Sequence, residues 1–462
     1  MYKQKIKELL PLIITLIVYI SLSVFLIKNL YTWFDESFTS YLVRYDFAGI
    51  AHYTSDDVHP PLYYFLLKIW TLIFGGSLSA IRAFSTFFGA LSIVSLYILI
   101  KNFISKKYDA FKITLVLLLV ALSPIFLFFA TQARMYSMNV FLSLVSILLV
   151  LRIKQSKKIE NWHWISYTLV VVVMMYTHYY LALVILAEII WLIIIKKREL
   201  VCPKLAVSIA GAVVAYIPWI PSLLRQVDSF KKGSWQPKST LTVFSKFLND
   251  VFFFFNSPVV SYDGAPAIYE VFGIVFVLVI LILGLKFTRT KFTYLLFLLI
   301  VVPLVFCYIT NMLIARYMLT SIICLFLLAG ITMFSSGNFL KFIPVVLLIC
   351  VLPLGYPKLF TVGGNGASSA TIQGLKEVQP GEVVLAEDVV RYMDFAVYQS
   401  DSLEVYVDTQ AHNEHWSSLE MVTDKTGEYT VYDYDKFLKE HEKVLVVYTD
   451  KIQHFVNGKP VE

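Results

Sequence analysis

From Leu9 to about Tyr356 the chain alternates long apolar runs with short polar breaks, and beyond that it becomes an ordinary mixture. Many runs approach the ~20 residues a helix needs to cross hydrocarbon. The pattern predicts a transmembrane domain over residues 1–356 and a soluble domain over 357–462. Two polar breaks fall early, WFDESF with Asp35 and Glu36, and DVHPPLYYFLLKIW from Asp57 to Trp70.

Composition agrees: 58% of residues are hydrophobic, 15% are charged and the mean hydropathy is +0.71, far from a soluble globular protein. The basic start MYKQKIK precedes an apolar core too long for a cleaved signal, with no small-x-small site before Tyr31, so a retained first helix is expected. Cys202, Cys307, Cys324 and Cys350 all lie in or beside apolar runs and read as small core hydrophobes rather than a disulfide or metal framework. The net charge of +7 sits in short loops between the runs, which is an orientation signal and not a nucleic-acid footprint.

If cytoplasmic loops carry the excess Lys and Arg, then KQKIK, KNFISKKYDAFK, LRIKQSKK, IKKREL and KFTRTK share one side. The apolar stretch from Pro61 to Phe74 is short and contains Lys68, and if it crossed the membrane KNFISKKYDAFK would land outside. It is therefore expected to lie along the interface as an amphipathic helix. About eleven spans follow: 9–30, 79–101, 112–130, 134–152, 163–177, 179–195, 204–222, 267–286, 292–310, 315–333 and 339–356. The run from Ile165 to Ile195 is split at Thr177 and His178, because one crossing would invert the later basic loops. The external face then receives the 31–78 loop, TQARMY, YTHYY, a 223–266 loop, TNMLIARY and everything after Pro357. No internal repeat is visible, and the aromatic run VFFFFNSP suits an interfacial anchor.

Asp35 and Glu36 can be water-facing or capping acids, or a general base in a low-dielectric pocket. Pro60 and Pro61 suit a helix start, with Tyr63, Tyr64 and Trp70 as belt residues and Lys68 snorkelling. His59 precedes that helix and is either a loop polar or a neutral hydrogen-bonding site group. Arg82, Arg134 and Arg316 stand at external span ends. They are snorkelling anchors or, for the ARMY and ARYM pair above all, ligands for a bound anion. His178 in YTHYY is an interfacial histidine, or else a substrate contact or metal ligand.

The DE pair after the first span, the D-V-H-P-P-L segment Asp57 to Leu62, the R-x-Y of Arg134 and Tyr136, the THYY turn and the late RY of Arg316 and Tyr317 resemble the GT-C membrane glycosyltransferases. The likeness is to the family-39-like group of protein O-mannosyltransferases and aminoarabinose transferases, and it covers most of residues 1–335. It implies a GT-C-like fold and a polyprenyl-phosphate sugar donor whose sugar passes to an acceptor hydroxyl with inversion. On that reading Asp35 is the general base, Glu36 and His59 orient base or acceptor, Arg134 and Arg316 take the leaving phosphate, and Tyr136, His178 and Tyr317 shape the pocket. Bacterial relatives carry an acid where this chain has Gln132, so a divalent metal is possible but not implied by this chain. The acceptor is an unspecified glycan, lipid or protein.

After Pro357, TVGGNGASSA reads as a linker, TIQGLKEV as a short helix, and GEVVLAED, LEVYVDT, YTVYDY and KVLVVYTD as strands of a small α/β domain. His412 and His415 read as exposed loop polars. The alternatives are a transporter or flippase for lipid-linked sugars, a ligase acting on a lipid diphosphate glycan, and a non-catalytic assembly protein. A transporter would keep ionisable groups near the bilayer midplane, whereas the candidates here gather at one face.

Overall fold

The computed structural model describes residues 2–104, 109–156, 160–195, 198–232, 238–253, 267–362, 369–398, 404–408, 421–422, 430–448 and 451–461. The chain divides into two compact units, Met1–Ile27 with Ser85–Leu359, and Lys28–Phe84 with Phe360–Glu462. The C-terminal segment therefore packs with the 28–84 stretch rather than standing alone.

The first unit is helical. It contains most of α1 (Tyr2–Asn29) and α5 (Leu78–Leu99), then α6 (Ala110–Ala121), α7 (Pro124–Thr131), α8 (Tyr136–Gln155), α9 (Asn161–Thr177), α10 (Leu181–Ile195) and α11 (Arg198–Tyr216). It continues with α12 (Ile220–Lys232), α13 (Leu241–Phe253), α14 (Ala267–Thr288), α15 (Lys291–Ile309), α16 (Leu319–Ile331), α17 (Ile343–Val351) and the first part of α18 (Tyr356–Val362). The chain is a multi-pass membrane protein. Each of the eleven expected spans is helical, but among the described residues seven helices are long and apolar enough to cross alone, or eight if the bent pair α6–α7 counts as one span. The shortfall comes from α9, α10 and α16, which are shorter than the ~20 residues of a free crossing.

Local chemistry sets several of the breaks. Ser123 caps α7 by accepting from the Phe126 amide, and Pro124 occupies its first turn, so the chain bends by 60° between α6 and α7. The predicted split at Thr177 and His178 is present, with α9 ending at Thr177 and α10 beginning at Leu181. Pro303 inside α15 removes the donor that would meet the Leu299 carbonyl, and the Ser321 hydroxyl from α16 donates to that carbonyl at 2.7 Å. α16 packs closely because Gly330 and Gly284 admit it: a Cβ on Gly330 would lie 2.6 Å from Val116 Cγ2, and one on Gly284 2.7 Å from Leu328 Cγ.

Two expectations change. The 223–266 stretch is not simply a loop, since α12 and α13 occupy much of it; α13 buries Phe247, Leu248, Val251 and Phe252 at helical spacing. Cys307 and Cys324 are buried as expected, but Cys350 is exposed on α17. The linker at 363–368, most of VFFFFNSP, His412 and His415 lie outside the described residues.

The second unit begins with α2 (Phe34–Leu42), α3 (Phe47–Asp56) and α4 (Leu62–Phe74). Its C-terminal part holds α19 (Ser369–Glu377), α20 (Val389–Tyr398), α21 (Tyr434–Glu440) and six strands. These are β1 (Val383–Ala386), β2 (Val405–Asp408), β3 (Thr430–Val431), β4 (Lys443–Val447), β5 (Ile452–Val456) and β6 (Lys459–Val461). The sheet order is β3-β2-β1-β4-β5-β6, parallel from β3 to β4 and antiparallel beyond. Alternating residues feed two cores, one with Val384, Ala386, Leu445, Val447 and Phe395, the other with Leu385, Val444, Val446, Phe437 and Leu438. The four expected strands became β1 to β4. The β5–β6 hairpin was missed although Asn457-Gly458, both at positive φ, is the two-residue turn that a tight hairpin favours.

α4 is thirteen residues, about 20 Å at 1.5 Å per residue, and it exposes Ile69, Leu72, Ile73 and Phe74. Such a length and apolar face suit an interfacial helix better than a crossing. Its polar groups differ from expectation. Tyr63 and Tyr64 are fully buried, Trp70 donates to the Ala80 carbonyl at 2.8 Å, and Lys68 donates to the Val43 carbonyl at 2.9 Å. Lys68 thus meets the carbonyl end of α2, where a cation is favoured, instead of snorkelling.

Candidate active site

In the second unit, α2 places Asp35 and Glu36 in its first turn, where an acid complements the helix dipole. Asp35 is half-buried, and its backbone carbonyl accepts from the Thr39 hydroxyl at 2.8 Å. Glu36 is fully buried and bound on both oxygens by Arg82, at 2.9 Å from Nε and 2.7 Å from Nη2. Arg82 also donates to the Leu30 and Tyr31 carbonyls at 2.7 and 3.1 Å. The Arg82 that the sequence offered as an anion ligand or anchor is thus an internal partner of Glu36. His59 is nearly buried just before α4, with Nδ1 3.4 Å from Asp57 Oδ2.

In the first unit the structure brings Tyr136, His178, Arg316 and Tyr317 together. A file of rings runs from Phe129 to Tyr136 (5.2 Å between centroids), on to His178 (6.3 Å) and to Tyr317 (5.4 Å). Tyr317 stacks on Tyr180 at 4.6 Å and 17°, and the Arg316 guanidinium carbon lies 5.3 Å over the Tyr317 ring. His178 sits where α9 stops, and its Nδ1 accepts from the Tyr180 amide at 3.2 Å, which leaves Nε2 as the N–H of the neutral ring. Arg134 is buried in the turn before α8, where its carbonyl accepts from the Ser85 hydroxyl at 3.0 Å.

A pocket beside this cluster is lined by the polar or aromatic Arg316, Tyr317, Tyr180, Asn139, Thr320 and Ser321 together with apolar residues, among them Leu181 and Leu319. Its free volume is about 10 Å³, room for about one water, so the cation, aromatic rings and amide around it suit an anionic, hydroxylated headgroup by their chemistry and not by the space they leave. Tyr180, Asn139 and Thr320 were missed by sequence reasoning. Asn139 lies one helical turn from Tyr136 on α8, so its signal was the i, i+3 position of a residue already singled out, whereas Arg316 stands in the turn before α16 and Thr320 in that helix's first turn.

Glu188 was also passed over. It is fully buried in α10, and its Oε2 accepts from the Ser146 hydroxyl at 2.7 Å and the Tyr167 hydroxyl at 3.1 Å. An ionisable group does therefore lie buried among the apolar helices of the first unit, enclosed by hydroxyl donors from α8 and α9. Among the described residues no three His, Cys, Asp or Glu side chains form a set that could hold a metal, and Gln132 is fully buried.

Comparison with known proteins gives the class. The chain has the GT-C fold: the crystal structure of ArnT from Cupriavidus metallidurans bound to undecaprenyl phosphate aligns over 94% of this chain and 92% of that one, with a TM-score of 0.58 and 12% identity. The same protein in its apo state aligns over 93% and 92%, with a TM-score of 0.43 and 13% identity. The sequence profile of the dolichyl-phosphate-mannose-protein mannosyltransferases matches residues 58–223, a stretch that contains His59, Arg134, Tyr136 and His178. No curated protein matches by sequence.

Proposed function

We propose that this protein is a glycosyltransferase that moves a sugar from a polyprenyl-phosphate donor to an acceptor hydroxyl at the external face of the cytoplasmic membrane. The observation that carries the reading is the pocket of the first unit, where Arg316 sits over Tyr317 among the rings of Tyr180 and His178 on a GT-C framework. A guanidinium beside aromatic walls in a nearly dry setting matches a phosphate that carries a sugar, because charge pairing there is little weakened by water.

In this reading Asp35 accepts the proton of the acceptor hydroxyl. That oxygen bonds to the anomeric carbon with inversion, and the carbon–oxygen bond to the lipid phosphate breaks. The phosphate leaves as an anion, so it needs cations rather than a general acid, and Arg316 and Arg134 supply them. Tyr136, His178 and Tyr317 shape the donor pocket, and His59 orients the acceptor. Glu36 serves as the partner of Arg82 that fixes α2, because both its oxygens are already taken. The N-terminus lies in the cytoplasm and the C-terminal α/β domain outside, an orientation supported by the Lys and Arg excess of the loops assigned to the cytoplasmic side. The undecaprenyl phosphate bound to ArnT makes a polyprenyl monophosphate the first carrier to try.

The test uses purified protein in nanodiscs with a polyprenyl monophosphate bearing a labelled sugar, and follows release of free lipid phosphate. Transfer is expected from the natural chain. Asp35→Asn should lose ~10²- to 10⁴-fold in rate while inserting normally, which is the usual cost of a missing general base. Full activity in that variant would remove Asp35 from the role. Use of a diphosphate-linked glycan alone would favour a ligase, and lipid translocation without phosphate release a flippase.

A further inference from the structure

Asp35 stands on a helix too short to hold its own shape. α2 has nine residues, and isolated helices of that length are marginal in water. What fixes it are two latches on separate faces. At about 100° per residue, with Asp35 set at zero, Glu36 falls near 100°, Ser37 near 200° and Tyr41 near 240°. The Glu36 face is held by Arg82. The Ser37 and Tyr41 face is held by α20 of the C-terminal domain.

The second latch is built from groups far apart in sequence. The Ser37 hydroxyl donates to Asp394 Oδ1, with both residues fully buried. Tyr41 meets the Tyr392 ring edge-on at 6.2 Å. Just before the helix the Thr32 amide donates to the Tyr398 hydroxyl at 2.7 Å, and just after it the Arg44 guanidinium donates to the Ala396 carbonyl. Asp394 is itself aimed by Arg391, whose Nη1 lies 3.4 Å from its Oδ2; Arg391 is held in turn by Asp388, which accepts from the Arg391 amide at 2.8 Å. A buried carboxylate with this much support marks a fixed point, and what it fixes is the middle of the acid-bearing helix.

We propose that Asp394, acting through Ser37, is a positioning residue for Asp35, so that the C-terminal α/β domain sets the orientation of the acid-bearing helix. The inference rests on the reading of Asp35 as the base. It gives the C-terminal domain a part in the chemistry although none of its residues need touch substrate.

The experiment compares the full-length natural chain with Asp394→Ala, Ser37→Ala and Asp394→Asn in nanodiscs, by hydrogen exchange over residues 34–42 and by donor and acceptor titrations. Asp394→Ala should speed exchange in 34–42 and lower kcat by ~10- to 100-fold with the donor KM unchanged, the scale on which a misplaced catalytic group costs rate. Asp394→Asn should restore most of kcat, since an amide oxygen can still accept from Ser37. In an Asp35→Asn background, Asp394→Ala should lower the residual rate no further. Unchanged exchange in 34–42, an unchanged kcat, or an equal loss in the Asp35→Asn background would each overturn the proposal. If the natural chain transfers no sugar at all, the glycosyltransferase reading fails, and the exchange measurement alone then decides whether the latch exists.

Discussion

Arg82 and Glu36 meet as fork to fork, Nε to Oε1 at 2.9 Å and Nη2 to Oε2 at 2.7 Å, with neither side chain reaching solvent. A planar guanidinium and a planar carboxylate satisfy one another twice in this geometry. The other Arg82 contacts close the end of α1, because the Leu30 and Tyr31 carbonyls beyond it are the acceptors. One residue at the start of α5 therefore fixes both the exit of the first helix and the first turn of the helix that bears Asp35.

Removing one partner should be far worse than removing both. Arg82→Met leaves a buried carboxylate without its counter-charge, at a cost of ~3–5 kcal/mol. The double variant Arg82→Met with Glu36→Leu should recover much of that, as read by thermal unfolding in detergent. Activity in the double variant separates two roles for Glu36. Recovery of transfer along with stability makes Glu36 an anchor, whereas a folded but inactive double variant makes it part of the chemistry.

The sequence made the multi-pass helical architecture legible, since apolar run length is a local property. It also singled out Tyr136, His178 and Tyr317, which the fold assembles into one file of rings. Pairings could not be read the same way. Glu36 with Arg82 and Ser37 with Asp394 join residues 46 and 357 positions apart, and neither pair leaves a local mark. A buried arginine and a snorkelling one look alike in a string of letters; only the partner distinguishes them. In the 223–266 stretch the helical signal is the spacing of Phe247, Leu248, Val251 and Phe252, which α13 buries.

Arg316→Ala should raise the donor KM by ~10- to 100-fold, the loss expected from one charged hydrogen bond. The effect on kcat should be smaller if the arginine grips the phosphate in the ground state as well as in the transition state. Arg316→Lys should recover part of the loss, because a lysine keeps the charge but not the two-pronged geometry. Donor titration with polyprenyl-phosphate sugar checks both variants. An unchanged titration curve would mark Arg316 as an anchor only.

Glu188 offers a different kind of test. Glu188→Leu leaves the Ser146 and Tyr167 hydroxyls without their acceptor inside the bundle, at a cost of ~1–3 kcal/mol. Glu188→Gln keeps an acceptor oxygen in the same place and should fold and turn over nearly as the natural chain does. Thermal unfolding and the phosphate-release assay read the two outcomes. A stable Glu188→Gln protein that no longer works would mean that the acid itself is used, and would favour a transport step that carries a proton.

Asp394 gives the C-terminal latch a pH signature. Burial pushes its carboxyl up to about 7, against the pull of Arg391 and the Ser37 hydroxyl, while Asp388 adds to the rise. An unfolded aspartate titrates near ~3.9, so between there and about 7 the folded state holds the extra proton. The stability that this proton confers is fully present below ~pH 4 and is lost as pH rises through about 7, at up to ~1.4 kcal/mol per unit. Asp394→Asn cannot titrate. The difference in stability between the natural chain and Asp394→Asn should therefore favour the natural chain progressively more as pH falls from 8 to 5, on top of a constant offset from the altered Arg391 contact. Denaturant titrations at half-unit steps would measure it. A difference that stays flat across that window would place the Asp394 carboxyl in its ordinary range and leave the latch without a pH response.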